Sequence, residues 1–101
     1  MKRLPIPDQY QNDPDYLEIL AVWVKPRQAM SIFLAPDSFK DPEIWGYVVS
    51  DVANDIANAV QQMRKCDKAE RDEILRKIVQ VFNEEVFKAQ DKKIGKLLRP
   101  M

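Results

Sequence analysis

The chain has 101 residues, and its 16 Lys and Arg balance 16 Asp and Glu, so there is no overall electrostatic pull towards nucleic acid. It contains no histidine, one cysteine and two glycines. Within one chain this excludes imidazole acid–base chemistry, cysteine-built zinc or iron–sulfur sites, CxxC redox pairs and glycine-rich phosphate loops.

Residues 1–15 hold Pro5, Pro7 and Pro14 among Asp and Asn without periodicity, which reads as an extended leader tacked down by Leu4, Ile6 and Tyr10. No apolar stretch follows Lys2 and Arg3, so no secretion signal is read, and the uncharged stretches fall short of the roughly 20 residues of a membrane helix. With a lone Cys66 as well, a cytoplasmic setting is expected.

Leu17 to Val24 is dense in β-formers and reads as the first strand, and Ala29 to Ala35 as the second, with a turn at Lys25-Pro-Arg-Gln28. A two-residue loop would put Ile19, Ala21, Trp23, Met30, Ile32 and Leu34 on one face of this hairpin. Leu20, Val22, Val24, Ala29, Ser31 and Phe33 would take the other. A three-residue loop re-pairs the strands but leaves both faces largely apolar. Such a ribbon needs cover, and its two edges need partners. A homodimer joined through the hairpins into a larger antiparallel sheet is therefore expected, with Leu20, Val22, Val24 and Phe33 as interface residues.

Asp41-Pro42-Glu43 announces a helix over about 42–64. Its apolar stripe is Ile44, Trp45, Val48, Val49, Val52, Ile56, Ala57, Val60 and Met63. Gly46 is costly there by about 1 kcal/mol, so a close-packing point is expected at it. Asp67-Lys-Ala-Glu70 resembles a capping box and starts a second helix to about residue 89, with Ile74, Leu75, Ile78, Val79, Phe82, Val86 and Phe87 as its stripe. The short connection predicts an antiparallel helical hairpin. In residues 91–101, Ile94, Leu97 and Leu98 could form one last helical turn. The organisation expected is a leader over 1–15, a single α+β domain of β-β-α-α order over 16–90 and a basic tail over 91–101.

Candidate chemistry is sparse. Asp51 and Asp55 share a face of the first helix, framed by Asn54 and Asn58, and with Tyr47 they form the one candidate polar site; solvent-facing charge is the plainer reading. Cys66 reads as structural, and Trp23 and Trp45 as core anchors. Lys88, Lys92, Lys93, Lys96 and Arg99 lack interleaved aromatics, so nucleic-acid binding through the tail is only an alternative. No catalytic, cofactor-binding or metal-ligating residue is assigned, and no membrane partner is expected.

Three segments together resemble a known family: Tyr16-Leu-Glu-Ile-Leu-Ala-Val-Trp-Val24, Asp41-Pro-Glu-Ile-Trp-Gly46 and Asp51-Val-Ala-Asn-Asp-Ile-Ala-Asn-Ala59. They are similar to short bacterial proteins grouped as domain of unknown function 5076, over roughly residues 10–88. The resemblance implies a small stand-alone protein of this fold and brings no established activity. The expected function is that of a small non-enzymatic protein acting through protein–protein contacts. An enzyme or small-ligand binder using the Asp and Tyr side chains of the first helix is the alternative from another class.

Overall fold

The computed structural model describes residues 3–26 and 29–88, with the backbone of 98–100. Pro7, at φ −56°, opens a single helical turn, α1 (Asp8–Gln11), its carbonyl accepting the Tyr10 N–H at 3.0 Å. Gln11 Nε2 donates back to the Ile6 carbonyl at 2.6 Å. This turn interrupts the extended leader expected over 1–15. Tyr10 stands edge-on to Tyr16 at 4.8 Å, whereas Leu4, expected to tack the segment down, is exposed.

β1 (Leu20–Lys25) and β2 (Ala29–Leu34) form the antiparallel hairpin that their β-branched content favours. Lys25 pairs with Ala29, so three positions separate the paired strand ends. Directly opposed residues of antiparallel strands share a face. Leu20, Val22, Val24, Met30, Ile32 and Leu34 therefore make a wholly aliphatic face, and Ala21, Trp23, Lys25, Ala29, Ser31 and Phe33 a mixed one. The two-residue reading divides the strands differently because a one-residue slip moves a whole strand to the other face.

β3 (Leu98–Pro100) pairs antiparallel with β2 over Ala29–Ser31, giving the sheet order β1-β2-β3. This corrects two expectations. Leu98 belongs to a strand rather than to a last helical turn with Ile94 and Leu97, and the outer edge of β2 is partly paired. Residues 89–97 lie outside the described residues.

The chain divides into two units, residues 1–38 with 97–101 and residues 39–96. The second unit is a helical hairpin. α2 (Glu43–Arg64) opens through its backbone: the Asp41 carbonyl accepts from Ile44 at 3.1 Å and the Pro42 carbonyl from Trp45 at 3.0 Å. Pro42 already has helical angles, as suits a residue with no N–H to lose. α3 (Lys68–Glu85) is capped by Asp67, whose carboxylate accepts the Glu70 N–H at 2.9 Å. It ends short of residue 89. The β-β-α-α order expected of an α+β fold is present.

The turn between the helices is held by Lys65, at φ 55° and ψ 41°, the one non-glycine residue with positive φ among those described. Its N–H reaches the Gln62 carbonyl at 3.3 Å, and the Cys66 N–H reaches the Gln61 carbonyl at 3.2 Å, the pair of bonds that closes a helix on a left-handed residue. Gln61 Nε2 adds a bond to the Cys66 carbonyl at 3.3 Å. The left-handed conformation costs a residue with a Cβ roughly 1 kcal/mol. Lys65→Gly should therefore raise stability by about 0.5–1 kcal/mol, read as a higher urea midpoint at unchanged slope.

Candidate functional site

Gly46, Ser50, Ala53 and Ala57 follow one another at helical spacing along α2 and so form a line of small residues. Asn54 and Asn58 flank this line on one side, and Trp45, Val49, Val52 and Ile56 flank it on the other. α3 meets both flanks. Arg71, one turn into α3, bonds Asn58 and Asn54 near the end of α2, while Phe82 and Asn83 share a groove with Trp45 and Gly46 at its start. The helices are thus antiparallel, and along the small residues burial grows from exposed Gly46 and Ser50 through half-buried Ala53 to Ala57. Ala57 is the one fully buried residue among those described.

The polar flank is closed by a single guanidinium. Arg71 Nε donates to Asn58 Oδ1 at 2.8 Å, Nη2 to Asn54 Oδ1 at 2.9 Å and Nη1 to Asp72 Oδ1 at 3.2 Å. Lys68 Nζ donates to the other Asp72 oxygen at 3.3 Å. Hydrogen bonds from Lys68 and Arg71 hold the Asp72 carboxyl below its ordinary pKa.

The apolar flank stays open. Between the helices runs a groove of about 560 Å³, lined mainly by Trp45, Val49, Val52, Ile56, Val79 and Phe82. Its polar side chains are Ser50 and Asn83, and no ionisable group lines it. The Trp45 ring is set by an edge contact with Phe39 at 5.2 Å and 79°. A Cβ built on Gly46 would meet nothing within 4 Å, which corrects the expectation of a close-packing point inside the chain.

The residues singled out from the sequence lie elsewhere. Tyr47, Asp51 and Asp55 run along the exposed side of α2, and none lines the groove. Asn54 and Asn58, expected to frame the aspartates, serve Arg71 instead. Among the described residues no cluster of three or more Asp, Glu, Cys or His could hold a metal ion. Leu20, Val22 and Val24 lie on the aliphatic sheet face, but Phe33 stands on the mixed face, so the four do not form one surface. Lys88 lies 4.0 Å from Glu85, and Lys92, Lys93 and Lys96 fall outside the described residues. Arg71 was missed from the sequence. The signal for it was an amide pair four apart on one helix and an arginine one turn into the next.

The profile of the domain of unknown function DUF5076 matches residues 3–90. The chain belongs to this family. Among solved structures, it is similar to a chain described as a "putative pyruvate dehydrogenase" from the photosynthetic bacterium Rhodopseudomonas palustrus CGA009. The TM-score is 0.68 and the identity 27%, over 100% of this chain and 97% of that one. No protein of curated function matches. The family description carries no chemistry to place on Arg71 or on the groove.

Two outcomes follow from the polar flank. Arg71→Ala should cost about 1–2 kcal/mol by denaturant unfolding, and Arg71→Lys should recover little, because an ammonium cannot reach both amides and the carboxylate with the same fork. A carboxylate with a lowered folded pKa adds stability above its unfolded value, near pH 4, and loses it as pH falls through the folded value. Asp72→Asn should accordingly be the less stable protein at about pH 6, with the gap to the parent closing on acidification below about pH 4.

Proposed function

We propose that this chain is a small non-enzymatic protein that acts through protein–protein contacts and assembles as a homodimer. The observation that carries the reading is the apolar groove of the helical hairpin. Val49, Val52, Ile56, Val79 and Phe82 remain 42–49% exposed along it, a contiguous row rather than scattered singles. Isolated exposed apolar side chains are ordinary on a folded protein; a groove built from both helices is a surface made to be covered.

The composition of the lining favours contact over catalysis. A groove without an ionisable side chain offers no group to take up or deliver a proton. The activity in the name of the Rhodopseudomonas protein is for that reason not carried over here. The aliphatic sheet face, with Val22 and Val24 47% and 48% exposed, offers a further contact surface. A cytoplasmic setting is part of the proposal and is supported by the lone Cys66. No helix among the described residues is long and apolar enough to cross a membrane.

Light scattering over a range of concentrations tests the reading. The expected mass is twice 11.8 kDa, falling towards the single-chain mass on dilution. Val79→Lys should keep the helical circular dichroism, since lysine is the better helix former, while weakening the dimer by roughly 10-fold or more. A mass of one chain at every concentration overturns the dimer.

A further inference from the structure

We draw no further inference here: the strongest candidate, the apolar groove between α2 and α3 lined by Trp45, Val49, Val52, Ile56, Val79 and Phe82, carries nothing because nothing in the structure shows what covers it.

Discussion

Two helices joined by a tight turn can bury only the line along which they touch, and that constraint shapes the helical unit of this protein. α2 supplies Ala53 and Ala57 for the line, and Ala57 is where burial becomes complete. Everything beside the line belongs to one flank or the other. The flanks are resolved by different chemistry: one is sealed by hydrogen bonds, while the other keeps its aliphatic side chains half in water.

The sealed flank depends on the shape of guanidinium. Its planar fork lets one side chain serve two amides of α2 and a carboxylate of α3 at once, tying the two helices at the end where the chain turns. The turn itself carries strain at Lys65, offset by the backbone bonds of Lys65 and Cys66 and by the Gln61 amide. The helical hairpin is thus most firmly fixed at its closed end. The groove lies towards the other end, where Trp45 and Phe82 both line it.

Much of the architecture could be read along the chain. The β-branched runs of the hairpin, Pro42 immediately before α2 and Asp67 as the cap of α3 each act within a few residues, so spacing reveals them. The apolar stripes of both helices were equally visible. What spacing could not show was how the stripes combine. Val49, Val52, Ile56, Val79 and Phe82 read as parts of two separate apolar stripes, yet in the helical unit they combine as the walls of one groove. Asp51 and Asp55 drew attention as paired carboxylates, but their framing amides answer to an arginine 17 residues further along from Asn54. Gly46 was recognised as costly for its helix, and the expected collision at that point is absent.

By itself the sequence determined the order of strands and helices, the antiparallel sense of each hairpin and the kinds of chemistry this chain has no residues for, because these follow from local periodicity, capping and composition. The tertiary structure alone decided three things: the strand register that separates Phe33 from Leu20, Val22 and Val24, the pairing of the C-terminal segment with β2, and the division of the helical hairpin into a closed and an open flank. Each turns on contacts between residues far apart in the chain. A one-residue change in loop length, or a small rotation of one helix over the other, leaves every local signal intact and reassigns which side chains meet.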